Sequence, residues 1–122
     1  MIIVDTSVWI SHLRRNEQAL LDAIAADDVM MHPFVLGELA CGNLGDRKTV
    51  LEGFHFIRPA PVADMVDVLA FIDARQLMGR GIGYVDMHLL VSAAQAQAAL
   101  WTRDRRTGDA ADELNLRYVE HS

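Results

Sequence analysis

Apolar positions along the chain switch between short continuous runs and helical spacing. Met1, Ile2, Ile3 and Val4 form a compact apolar run rich in β-branched residues, the pattern of a strand buried on both faces. Val8–Arg15 and Ala19–Ala26 then carry apolar residues at helical intervals. Val29–Met31 reads as a second short strand, and Pro33 suits the first turn of a helix over Phe34–Ala40. A helix is expected over Asp46–Gly53, and Phe56 and Ile57 lead into a short strand stopped by Pro59 and Pro61. Ala63–Met78 predicts a long amphipathic helix with Val66, Leu69, Ala70, Ile72 and Leu77. The segment GRGIGYVDMHLLVSAAQAQ opens as a glycine-rich loop and runs into a helix. AALWT follows as a buried strand, RDRRTGD as a turn, Ala110–Leu114 as a helix and Leu116–Val119 as a last strand. Strands alternating with helices predict a three-layer α/β/α fold around a parallel sheet of four to five strands, with right-handed crossovers.

Several of these elements end on carboxylates. Asp5 closes the first strand, followed by Thr6 and Ser7. One reading makes Asp5 or Thr6 the N-cap of the next helix, since Asp, Ser and Thr are favoured there. The other puts Asp5 at the carboxyl end of a central strand, where open α/β sheets bind ligands. Asp104 follows AALWT after one arginine, Glu38 lies on the short helix after the second strand, and Asp86 begins the helix before AALWT. All four sit among apolar neighbours in sequence, an odd setting for a charge unless something offsets its desolvation. Each has a structural alternative: Asp86 as a cap, Asp104 as a turn residue, Glu38 as the partner of an arginine. Four separate elements placing a carboxylate near a strand end are harder to explain that way. Hard divalent cations take oxygen ligands and share them with water and substrate phosphate. A metal pair across a phosphodiester can activate water and stabilise the leaving oxygen.

Composition narrows the classes. The chain has 122 residues, 52% of them hydrophobic, which fits one folded domain over 1–122 and excludes disorder. Apolar stretches are broken by charges before they could span a bilayer, and no signal peptide is expected. Cys41 is the only cysteine, so the expected compartment is the reducing cytoplasm. A net charge of −6 argues against a simple phosphate-coating binder. It leaves room for an enzyme that holds cations and meets nucleic acid through a local basic patch. Arg103, Arg105 and Arg106 sit together and Arg80 lies in the glycine-rich loop, so these four are candidate RNA contacts. Ordinary surface arginines are the alternative.

At this point the motifs IVDTSVWI, ELACG, GYVDMHLLVSAA and LWTRDRR, in that order, resemble the PIN domain. More narrowly they resemble the VapC-type toxins of bacterial toxin–antitoxin pairs, over nearly the whole chain. The resemblance implies a Mg²⁺- or Mn²⁺-dependent endoribonuclease that forms homodimers and is blocked by a small VapB-like antitoxin. It implies the sheet order 3-2-1-4-5, with the first and fourth strands adjacent. It also implies an acidic metal site of Asp5, Glu38, Asp86 and Asp104, supported by Thr6 or Ser7 and by Thr102. Asp109 matches a more variable acidic position, and helix capping explains it equally well. Trp9, Leu13, Leu36 and Leu39 could supply an apolar groove for the antitoxin, with core packing as the alternative.

Other chemistry finds less support. His12, His32, His55, His88 and His121 lack the i, i+4 pairing of a helical zinc site, and Cys41 has the look of a small apolar residue. The glycines around Arg80 lack the Lys-Ser/Thr of a Walker loop. A receiver-type signalling domain needs adjacent acids after its first strand and a late lysine. Here DTS follows the strand and Lys48 is the only lysine. A catalytically silent PIN-type binding module is the remaining rival, and the four intact acids do not favour it.

Overall fold

The computed structural model describes residues 1–120; His121 therefore lies outside the described residues. Four short parallel strands form the centre: β1 (Ile2–Val4), β2 (Val29–Met31), β3 (Arg58–Pro59) and β4 (Ala99–Trp101), in the order β3-β2-β1-β4. Seven helices connect and cover them: α1 (Thr6–Arg15), α2 (Gln18–Ala25), α3 (Pro33–Cys41), α4 (Arg47–Phe54), α5 (Met65–Arg75), α6 (Tyr84–Ala96) and α7 (Arg105–Glu113). The expected α/β class and strand order are borne out across these four strands. The predicted fifth strand shrinks to one parallel bridge, Arg117 opposite Leu100, beside β4 where that strand belongs.

The core is built where the apolar runs predicted it. Ile3, Val4 and Leu100 are wholly buried, as are Val8 of α1, Val35 of α3 and Leu89 and Leu90 of α6. Sequence order turns back at β1. The chain runs outward through β2 and β3 on one side of it, then returns to place β4 on the other. The crevice above this switch point, between β1 and β4, is where ligands bind in open α/β sheets.

Three boundaries move from their expected places. The long amphipathic helix shortens to Met65–Arg75, and it buries Val68 instead of Val66 and Leu69, which stay exposed. Ala70 is also exposed, while Ile72 is partly buried and Leu77 packs in the core beyond the helix end. RDRRTGD is not a turn: α7 begins at Arg105, because Asp104 caps it with a side-chain hydrogen bond. Cys41 ends α3 exposed, not packed. Among the described residues no helix is long and apolar enough to cross a membrane.

Candidate active site

Asp5 stands at the carboxyl end of β1, and its backbone N–H donates to the carbonyl of Trp101 at 2.9 Å, carrying the β1–β4 pairing up to the acid itself. Its carboxylate is buried and held from three directions. The backbone N–H of Thr6 donates to Oδ1 at 2.7 Å, the Thr102 hydroxyl to Oδ2 at 2.8 Å, and the Ser7 hydroxyl to Oδ2 at 3.3 Å. The first of these makes Asp5 the N-cap of α1. Asp5, and neither Thr6 nor Ser7, is therefore the cap, with its carboxylate still at the carboxyl end of β1.

Glu38 comes from α3, exposed at the crevice edge, where its Oε1 accepts the Thr6 hydroxyl at 2.9 Å. Asp104 follows β4. Its backbone N–H donates to the Thr102 hydroxyl oxygen at 3.1 Å, and its Oδ2 accepts the Thr107 backbone N–H at 2.9 Å and the Thr107 hydroxyl at 2.7 Å. These bonds hold the Asp104 carboxyl below the usual carboxylate range. A continuous chain of contacts thus runs Glu38–Thr6–Asp5–Thr102–Asp104–Thr107.

Asp86 completes the cluster from the first turn of α6, where Gly83, not Asp86, is the N-cap. Its carboxyl is pushed up to about 6, chiefly by desolvation and then by the negative charge of Asp5. The Thr107 hydroxyl pulls the other way, and the charges of Asp104 and Glu38 add further upward shifts. The Asp86 carboxyl on α6 therefore feels the charges of three carboxyls carried by three other elements, and Arg106 offsets part of that charge at Asp104. The expectation that every acid sits among apolar groups holds only for Asp5 and Asp86. Glu38 and Asp104 are exposed, Glu38 within α3 and Asp104 at the N-cap of α7.

The sequence comparison decides the family. The PIN domain family profile matches residues 2–113. The chain belongs to the PIN domain family. Within that family it is 41% identical over 121 residues, 98% of both chains, to Ribonuclease VapC32 of Mycobacterium tuberculosis. The FitAcB crystal structure from Neisseria gonorrhoeae superposes on this PIN domain with a TM-score of 0.64 at 26% identity, covering 92% of this chain and 94% of that one. FitAB bound to a DNA fragment gives 0.63 at 23% identity over 99% of each chain, a likeness of fold alone.

The remaining candidate residues of the PIN domain divide by their partners. Arg80 forks onto Glu113 at 2.6 and 3.1 Å, and Arg103 bridges Glu17 at 2.8 Å and Glu120 at 2.7 Å. Both guanidiniums are thereby ion-paired with acids of this chain. Arg105 and Arg106 make no ion pair with the described residues. Asp109 lies inside α7, exposed, and its charge acts on Arg80, so it neither caps that helix nor joins the hydrogen-bonded chain.

One residue of the hydrogen-bonded chain, Thr107, was missed in the sequence, while His32 and His88 are packing residues as expected. Thr107 lacks the Glu or Gln of the capping-box signature, so only Asp104 itself, a favoured N-cap residue, signalled the helix start. His32 and His88 are far apart in sequence, yet their rings lie 6.4 Å apart beneath Phe34 and Tyr84. His32 caps α3 by accepting the Phe34 N–H on Nδ1 at 3.0 Å.

The acids fit a hard divalent cation by donor type, all of them oxygen. Among the described residues no three acidic side chains close around a common point.

Proposed function

We propose that this PIN domain is a divalent-metal-dependent endoribonuclease acting as the toxin of a toxin–antitoxin pair. The observation that carries the reading is the raised Asp86 carboxyl, surrounded by the charges of Asp5, Asp104 and Glu38. Such a cluster gains most from a bound cation. Asp5, Glu38, Asp86 and Asp104 would hold Mg²⁺ or Mn²⁺, which supplies an activated water and charge stabilisation at the leaving oxygen of a phosphodiester. Thr102 and Ser7 orient Asp5, Thr6 orients Glu38, and Thr107 orients Asp104. The relationship to Ribonuclease VapC32 supports RNA as the substrate.

Partners follow from two surfaces. A cavity of about 280 Å³ beside Glu38 is lined by Ile10, Leu13, Leu39 and Leu44, with Arg14 at its edge. It offers apolar side chains of an antitoxin a seat next to the acid site. Trp9 and Leu36 do not line it: Trp9 is a core residue against Phe54, and Leu36 lines a separate hollow with Met31 and Pro59. Val62, Met65, Val66 and Leu69 form an exposed apolar strip along α5 and the turn before it, suited to a homodimer contact.

The test is to incubate purified, antitoxin-free protein with RNA and sequence the new ends. Products carrying 5′-phosphate and 3′-hydroxyl ends, absent with Asp86→Asn, are expected. Equal cutting by Asp86→Asn contradicts the proposal.

A further inference from the structure

Arg106 differs from the other arginines around the crevice. Like Arg105 it is exposed and pairs with no carboxylate of the described residues; unlike Arg105 it packs against Gly81 of the glycine-rich loop. A Cβ added to Gly81 would stand 2.7 Å from Nη1 of Arg106, 3.0 Å from Cζ and 3.1 Å from Cδ. Gly81 also has φ of +76°, a conformation that side chains rarely adopt. The Arg106 side chain therefore runs close against Gly81, in the loop that leads into α6 and Asp86. Its own helix starts at Asp104, whose carboxyl it helps to keep ionised. Arg106 thus stands between the elements carrying Asp86 and Asp104.

We infer that Arg106 binds a phosphodiester of the RNA strand at the edge of the acidic crevice, and that its packing against Gly81 sets where its guanidinium rests. This rests on the nuclease reading. An acidic crevice in a chain of net charge −6 repels a polyanion, so an unengaged guanidinium placed between the elements carrying Asp86 and Asp104 has a disproportionate effect on where the strand settles. The planar fork matches two phosphate oxygens, which a lysine cannot do. The apolar cavity by Ile10 and Leu13 does not include Arg106, which favours RNA over an antitoxin as its partner.

The test compares wild type, Arg106→Gln, Arg106→Lys, Gly81→Ala and the Gly81→Ala/Arg106→Gln double variant. Readouts are steady-state RNA cleavage at several salt concentrations and anisotropy of a fluorescent single-stranded RNA in EDTA. Arg106→Gln is expected to raise KM about tenfold with kcat changed less than about threefold. The salt slope should fall by about 0.7, the value for one lost phosphate contact on a single strand. Arg106→Lys should keep that slope while losing part of the affinity. Gly81→Ala should reproduce Arg106→Gln and add nothing to it in the double variant. Unchanged KM and salt slope in Arg106→Gln, or full additivity with Gly81→Ala, overturns the inference. If the wild type cuts no RNA, the nuclease reading fails, and anisotropy alone decides: equal RNA binding by wild type and Arg106→Gln overturns the role of Arg106.

Discussion

The Thr102 hydroxyl donates to Oδ2 of Asp5 across 2.8 Å, joining residues 97 apart in sequence. The Thr102 hydroxyl oxygen in turn accepts the Asp104 backbone N–H at 3.1 Å, so one buried side chain ties the ends of β1 and β4 together. Thr102→Val keeps the shape and removes both bonds. Loss of a buried hydrogen bond to a charged acceptor should cost about 1–3 kcal/mol. RNA cleavage should fall by about tenfold or more, because misplacing Asp5 degrades the geometry of the whole site. Melting curves and initial rates check this; a variant with wild-type stability and rate would remove Thr102 from the site.

Thr6 offers the contrasting case. Its hydroxyl holds Glu38 at the exposed rim, where water can replace a lost partner. Thr6→Val should therefore change stability by less than about 1 kcal/mol while lowering cleavage, and Thr6→Ser should restore it. Loss of stability comparable to that of Thr102→Val would mean that the bond serves the fold.

The fold was legible in the chain where burial is two-sided. Ile2–Val4, Val29–Met31 and Ala99–Trp101 are apolar throughout because parallel central strands have no solvent face. Asp5 and Asp104 stood out as charges closing such runs, and both mark the switch-point crevice. Boundaries were less visible where a cap outweighs composition. Asp104 starts α7 five residues before the first alanine that suggested it. The exposed Val66 and Leu69 share the period of the buried Val68 helix, and periodicity alone does not say which apolar side faces the core. The engagement of Arg80 and Arg103 with distant acids was not readable, since it depends on tertiary contacts such as Arg103 to Glu17.

Asp86 should make the protein less stable as pH rises without metal. Its folded carboxyl titrates near 6, above its ordinary value of 3.8, so the native state binds the proton more readily. The stabilisation is fully present below about 4 and is lost as pH climbs through 6. After solvent screening at this partly exposed group, ionisation costs about 1–2 kcal/mol. Asp86→Asn should therefore raise the melting temperature in EDTA near neutral pH by about 3–6 °C. A lower melting temperature than wild type would show that the carboxylates do not strain one another.

His32 works in the opposite sense. Burial, aided by the charge of His88, pushes its imidazole down to about 4 from 6.5. Stability from neutral His32 is present above 6.5 and lost as pH falls toward 4. The two trends oppose each other between about 4 and 6, so wild type should show a shallow pH dependence there. Asp86→Asn should unmask the histidine, its melting temperature dropping more steeply on acidification than that of wild type. Parallel curves for the two proteins would argue against this balance.

Metal add-back tests the acidic site most directly. Purified protein stripped with EDTA is mixed with RNA, and cleavage is followed as Mg²⁺ or Mn²⁺ is returned. Wild type should be inactive in EDTA and recover with the cation, while Asp5→Asn, Glu38→Gln, Asp86→Asn and Asp104→Asn remain folded and lose most activity. RNA cleavage by the wild type at the same rate in excess EDTA would contradict a metal-dependent nuclease built on these four carboxylates.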